Sequence, residues 1–413
     1  SIVSIIDEMQ TIIVKNGGEI DNYSFSNTSN KSAITSLIKQ TCTSMKSKKE
    51  LNSSIYSLLN FLKDIANKVF PIILFGSNED KLLISETIYK YIYIHKNGKN
   101  SIISTPANIT GFMVKLLDLK EDDFFVEFCS GFGNFTLSYL LHIINNYNII
   151  NGNKVSGIEN EDYIFLFYIT TLRIIGLNLI QALNGDMLKL SNINDLIPTY
   201  NSNYKVGACM NPPFGGKDNV IAAKLVLKGC DLLPKGSLFA VILPYVFAIG
   251  NSKSNGFDAA QFHKDLLKNN TLLASMSMSL DLFKGIADTI TCILVLRAGK
   301  PHDFTKNVYF GNWKEDGYYW HKVLGMIPDR DKQFYDKTPE EYVEEWLKSY
   351  NNDDKKDDIY GCWRKLKKEK DVCKDEWLWE YFVDTDYSKL KEEDFEKAIK
   401  DFVFYQMKNF DIL

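Results

Sequence analysis

No apolar run in this 413-residue chain reaches the roughly 20 residues that a bilayer-spanning helix needs. The opening Ser1-Ile2-Val3-Ser4 also lacks a basic stretch leading into an apolar one, so a soluble chain without a leader is expected. Cysteine is sparse and unpaired. The seven, at positions 42, 129, 209, 230, 292, 362 and 373, are an odd number without metal-ligand spacing, and several lie in apolar runs. This usage excludes a disulfide framework and a zinc site and points to a cytoplasmic protein. The five histidines, at 95, 142, 263, 302 and 321, are ungrouped, so no Ser/His or Cys/His constellation for nucleophilic catalysis is offered. A basic surplus is missing too: 48 Lys and Arg stand against 52 Asp and Glu. A protein that grips nucleic acid unaided usually carries such a surplus.

The charge that is present is uneven. Residues 1–100 hold 12 Lys and Arg against 9 Asp and Glu, whereas residues 301–413 hold 20 against 27. The length predicts two or three domains around a central α/β unit. Leu51, Ile55, Leu58, Leu59 and Leu62 recur at helical steps and predict a helical N-terminal domain over 1–98. A catalytic α/β unit is expected over 99–300. Beyond it, Tyr342, Val343, Trp346 and Leu347, then Phe395, Ile399, Phe402 and Val403, predict a mostly helical C-terminal region, 301–413, with a charged loop over 351–358.

The central unit is organised around Asn211-Pro212-Pro213-Phe214. Val206, Ala208, Cys209 and Met210 form an apolar run that two prolines end abruptly, which reads as a buried strand delivering a stiff polar loop to its carboxyl edge. An Asn side-chain oxygen and the next carbonyl are two fixed acceptors for an exocyclic amino group, and Phe214 can stack on the ring bearing it. Upstream, Phe124 to Phe128 is a short buried strand running into Gly131-Phe132-Gly133 and a helix through Leu137, Leu140 and Leu141. The two glycines permit a tight turn and close approach of a ligand to the backbone, with Glu127 beside them. Thr136 stands where a dinucleotide loop would have its third glycine, and no Gly-Lys-Ser/Thr follows, which weakens a phosphate-binding reading. Two more strands end in acids: Val155 to Glu159, placed to hold a ribose diol, and Leu179 to Leu183, followed by Asp186, placed to meet an adenine amino group. Before all of these, Thr105-Pro106 reads as an N-cap and first helical residue.

In this order, Thr105-Pro106, Glu127 with Gly131 and Gly133, Glu159, Asp186 and Asn211-Pro212-Pro213-Phe214 resemble the motifs of gamma-type adenine-N6 DNA methyltransferases, over roughly residues 100–300. The Thr-Pro segment is similar to that of modification subunits of type I and related restriction–modification systems. The resemblance implies a Rossmann-like, S-adenosylmethionine-dependent domain. In it Thr105, Pro106, Glu127, Gly131, Gly133, Glu159 and Asp186 contact the cofactor, and Asn211, Pro212, Pro213 and Phe214 serve a flipped adenine. Phe283, in Leu280-Asp281-Leu282-Phe283-Lys284-Gly285, would be a second aromatic wall. Where self-sufficient members carry a large recognition domain, only about 110 acidic residues follow, so double-stranded DNA is expected to be read through a separate specificity subunit; a nuclease subunit is left open. No membrane or metal is implied. Two other readings stay open: an amino-methyltransferase acting on RNA or on protein glutamine, and a catalytically idle scaffold or DNA-binding subunit.

Overall fold

The computed structural model describes residues 105–149, 152–174, 181–198, 200, 203–215, 217–280, 282–283, 289–321, 325–367, 376–383, 391–393, 395–396 and 399–400. The helical domain expected over 1–98 lies outside the described residues, as do Phe402 and Val403.

In chain order the elements are α1 (Ala107–Lys115), β1 (Phe124–Phe128), α2 (Asn134–Tyr147), β2 (Val155–Glu159), α3 (Asp162–Ile174), β3 (Gln181–Asn184), β4 (Val206–Met210), α4 (Asp218–Leu232) and β5 (Leu238–Pro244). A two-residue pair, β6 (Lys253–Ser254) and β7 (Phe257–Asp258), leads to α5 (Ala259–Asn269), β8 (Thr271–Met278) and β9 (Thr291–Arg297). Then follow β10 (Val308–Trp313), the hairpin β11 (Tyr318–His321) and β12 (Gly325–Pro328), α6 (Pro339–Tyr350), β13 (Gly361–Arg364) and the single turn α7 (Trp379–Phe382).

Nine strands make one sheet in the order β13-β10-β8-β9-β5-β4-β1-β2-β3. From β3 to β5 the pairing is parallel, β9 runs antiparallel between β5 and β8, and β10 is parallel to β8. Strands β1, β2 and β4 are buried at all five positions, as parallel strands covered on both faces must be, which explains their unbroken apolar runs. Alternation then sorts side chains between two cores. Phe124, Val126 and Phe128 join Ala208, Met210, Phe239 and Val241 against α4 and α5, while Phe125 joins Cys209, Ala240 and Ile242 against α1, α2 and α3. The order reverses at β1 and β4, whose carboxyl ends therefore open on a common crevice, where such sheets take ligands.

Two expectations change. Pro106 is the N-cap of α1 rather than its first residue, because its ψ of 145° keeps it outside the helix. The boundary at 300/301 is not where the structure divides: β10 and β13 extend the central sheet, and Trp346 of α6 stacks on Trp313 of β10 at 5.2 Å, both against Phe112 of α1. The described part beyond residue 300 thus carries four strands beside α6 and α7, so it is less helical than its 3.6-residue periodicities suggest. The segment 376–383 also returns to the sheet. Buried Trp377 stacks on His263 at 3.5 Å, donates its backbone N–H to Ala248 O and accepts at its own carbonyl from Ser275 Oγ. No described helix is long and apolar enough to cross a membrane.

Candidate active site

The glycine loop between β1 and α2 is held from below and from the side by two carboxylates. Gly133, the N-cap of α2, has no side chain to cap the helix. Glu127 on β1 takes that role: its carboxylate accepts from Phe135 N at 3.1 Å, Thr136 N at 2.8 Å and Thr136 Oγ1 at 2.5 Å, satisfying N–H groups that a helix start otherwise leaves open. Burial pushes its pKa up to about 8, against the pull of these donors. Glu127 is only 1% exposed. The structure thus shows Glu127 anchoring the start of α2 behind the glycine loop.

Glu159, at the end of β2, holds the loop from the side. Its Oε2 accepts from Gly131 N at 2.7 Å and its Oε1 from Glu161 N at 2.9 Å. Burial pushes its carboxyl up, and the backbone donors of Glu161, Gly131 and Asn160 pull it partway back. Asp186, half-buried after β3, caps a short turn through Leu188 N at 2.9 Å. Both acids keep lone pairs beyond those used here. Gly131 takes a φ of +55° with open space over its Cα, and the neighbouring Cys129 adopts a φ of +51°. The Cys129 thiol is pushed well up, first by burial and then by Glu159, Asp186 and Glu127, so it is no nucleophile.

The tetrad leaves β4 beside this loop. Pro212 is buried, Pro213 exposed, and Asn211 and Phe214 half-buried. The amide nitrogen of Asn211 donates to Thr105 Oγ1 at 2.8 Å. Gly215, at a φ of +108°, closes the loop by donating its N–H to the buried Asn219 side chain at 3.0 Å. Phe283 is brought to Phe214, ring centroids 6.3 Å apart and 70° between planes, but it is buried and edge-on rather than facing it across a slot. Farther along the same edge, Tyr245 after β5 donates to Glu380 of α7 at 2.8 Å, and Ser277 of β8 donates to the same carboxylate. Burial pushes Glu380 up, but Lys314 and Tyr245 outweigh it and hold the carboxyl below its usual range.

Sequence reasoning missed Asn134, Asn219 and Tyr168. Asn134 Nδ2 donates to the Thr105 carbonyl at 2.9 Å. Tyr168 of α3 is fully buried behind the loop, and a Cβ on Gly133 or Gly157 would lie 2.5 or 2.3 Å from it. The only sequence signal for that contact is a glycine inside β2, which in a strand marks close approach.

No protein-family model matches the chain. It is 24% identical over 267 residues to the type II restriction enzyme and methyltransferase RM.BcgI of Heyndrickxia coagulans, spanning 61% of this chain and 40% of that protein. Among solved structures it resembles a chain of a type I restriction–modification system described for its complex assembly and conformational transition, with TM-score 0.56, 14% identity, and coverage of 99% and 88% of the two chains. It also resembles the type I restriction–modification methyltransferase subunit of Streptococcus thermophilus, with TM-score 0.50, 14% identity, and coverage of 69% and 60%. The chain thus shares the Rossmann-like fold of these solved structures, and it spans about two fifths of the curated relative.

Proposed function

We propose that this chain is an S-adenosylmethionine-dependent DNA methyltransferase that modifies adenine at N6, as the modification subunit of a restriction–modification system with sequence recognition supplied by a separate specificity subunit. The observation that carries this reading is the placement of Asn211-Pro212-Pro213-Phe214 beside the glycine loop, at the crevice between β4 and β1.

The residues at the loop fit the cofactor. Ser130 Oγ is buried without a partner among the described residues, Gly131 lies under open space, and Glu159 and Asp186 gather negative charge where a ligand bearing a sulfonium and an ammonium group would sit. Ser130, Gly131, Glu159 and Asp186 would hold it. When bound, S-adenosylmethionine supplies an electrophilic methyl group.

The chain's own part is to present the acceptor nitrogen. A target adenine must leave the duplex to reach this edge, since its amino group is otherwise paired. Asn211 Oδ1 and the Pro212 carbonyl accept from that amino group, which favours a pyramidal nitrogen with an available lone pair, and Phe214 steadies the ring. Neither acceptor is basic enough to retain a proton, which leaves to water after transfer. With 27 acidic against 20 basic residues over 301–413, much of the phosphate contact must come from outside that region, in keeping with a partner subunit.

The test is nucleoside analysis of duplex DNA incubated with labelled S-adenosylmethionine and the chain, alone and with its co-expressed neighbouring gene products. N6-methyladenine is expected in the presence of a partner. Label in RNA or protein but not in DNA would overturn the substrate assignment.

A further inference from the structure

Thr105 sits at a junction of the site. It is 3% exposed, and its two ends serve different elements. Its hydroxyl oxygen accepts from Asn211 Nδ2 at 2.8 Å across 106 residues of sequence. Its carbonyl accepts from Asn134 Nδ2 at 2.9 Å, and Asn134 is the first residue of α2, immediately after the glycine loop. The helix that follows Thr105 is itself fixed to α2, because Thr110 Oγ1 and Ser138 Oγ are 2.6 Å apart and buried.

We propose that Thr105 is a positioning residue for Asn211, an inference that rests on the reading of Asn211 as the acceptor for the target amino group. An Asn amide can rotate by half a turn and present its NH2 in place of its oxygen. A substrate amino group then meets a donor where it needs an acceptor. The contact with Thr105 Oγ1 fixes the amide plane, and in the orientation seen Nδ2 donates to Thr105 while Oδ1 is the end turned from it. Because Thr105 is tied to the start of α2 through Asn134, the acceptor is oriented relative to the glycine loop, and the two halves of the crevice share one reference point. This differs from the direct cofactor contact that the resemblance implied for Thr105.

The test compares Thr105→Val, which keeps the shape and loses the hydroxyl, with Thr105→Ser, which keeps the hydroxyl. Single-turnover methyl transfer is measured at saturating S-adenosylmethionine, and cofactor affinity by calorimetry. Misorienting one reacting group costs up to about 100-fold in rate. The expected result is a loss of about 10- to 100-fold for Thr105→Val in the saturated rate, cofactor affinity within about threefold of the parent, and recovery of most of the rate in Thr105→Ser. A loss confined to cofactor affinity, with the saturated rate intact, would overturn the proposal, as would no change in either. The side-chain amide signal of Asn211 in nitrogen-15 spectra, identified by its absence in Asn211→Ala, gives a readout independent of catalysis. One NH2 proton should lie downfield in the parent, move upfield in Thr105→Val and return in Thr105→Ser. If the parent transfers no methyl to any substrate, the functional reading fails while this signal still decides the contact. An unchanged signal in Thr105→Val would overturn it.

Discussion

The hydroxyl of Tyr168 lies 3.1 Å from Thr136 Oγ1 and is the donor there whenever the Thr136 proton is given to an ionised Glu127. One chain of hydrogen bonds thus runs from α3 through the start of α2 to β1, and the ring that begins it fills the space that Gly133 and Gly157 leave open. Tyr168→Phe should cost about 1 kcal/mol, the usual net worth of one buried hydrogen bond. Gly157→Ala should cost more, about 2–3 kcal/mol, because its methyl meets the ring and overpacks a filled site. Denaturant midpoints would separate the two. Equal effects would show that packing against the loop contributes nothing beyond the hydrogen bond.

Glu127→Gln is expected to do two things at once. Above pH 8, where Glu127 is ionised, the amide places an NH2 among three donors and leaves an N–H of α2 or the Thr136 hydroxyl unsatisfied, which should lower stability by about 1–3 kcal/mol. The loop that Glu127 braces should also bind S-adenosylmethionine less tightly. Asp186→Ala, which also removes the cap on Leu188 N, should weaken cofactor binding at a stability cost of about 1 kcal/mol. Calorimetric affinities beside thermal melts make the comparison. A Glu127→Gln variant that melts like the parent above pH 8 would contradict the anchoring role.

His263 makes the fold sensitive to acid. Burial lowers its pKa to about 4, partly opposed by the bond from its Nε2 to the Phe247 carbonyl at 2.7 Å. Its folded pKa is depressed, so the unfolded chain gains a proton near pH 6.5 and the folded chain only near pH 4. Stability is full above pH 6.5 and falls as pH drops from 6.5 to 4, by up to about 3 kcal/mol from this one group. His263→Gln keeps a donor for Phe247 and cannot titrate, so urea midpoints taken across that window should fall less steeply than in the parent.

The sheet also predicts where the chain cannot be cut. A chain ended at residue 300 loses β10 and β13 and exposes the face of β8 that Trp313 and Trp346 help to cover, so it should aggregate or bind hydrophobic dyes.

How much of this was legible in the sequence follows from where each signal originates. Parallel strands buried on both faces are contiguous apolar runs, so β1, β2, β4 and β5 could be read directly, and the tetrad and glycine loop fell at their ends. Strand β8 lacks the continuous apolar run of its parallel neighbours because Ser275 and Ser277 fill buried positions on one face, and their partners Trp377 and Glu380 lie about a hundred residues away. Strand β10 was hidden by Gly311 and Asn312. A carboxylate at a strand end looks the same in sequence whether it faces a ligand or a helix start, and only the position of α2 over β1 gives Glu127 the second role. Phe283 was legible as a neighbour of Phe214 but not as a buried, edge-on one.

Asn211→Ala is the sharpest test of Asn211 as the acceptor for the target amino group. Methyl transfer to adenine in duplex DNA, measured with the partner subunits present and cofactor saturating, should fall by about 100-fold or more, the scale of losing one preorganised polar contact at a reacting centre, while S-adenosylmethionine affinity stays near the parent value. N6-methyladenine formed by Asn211→Ala at the parent rate would show that Asn211 is not that acceptor.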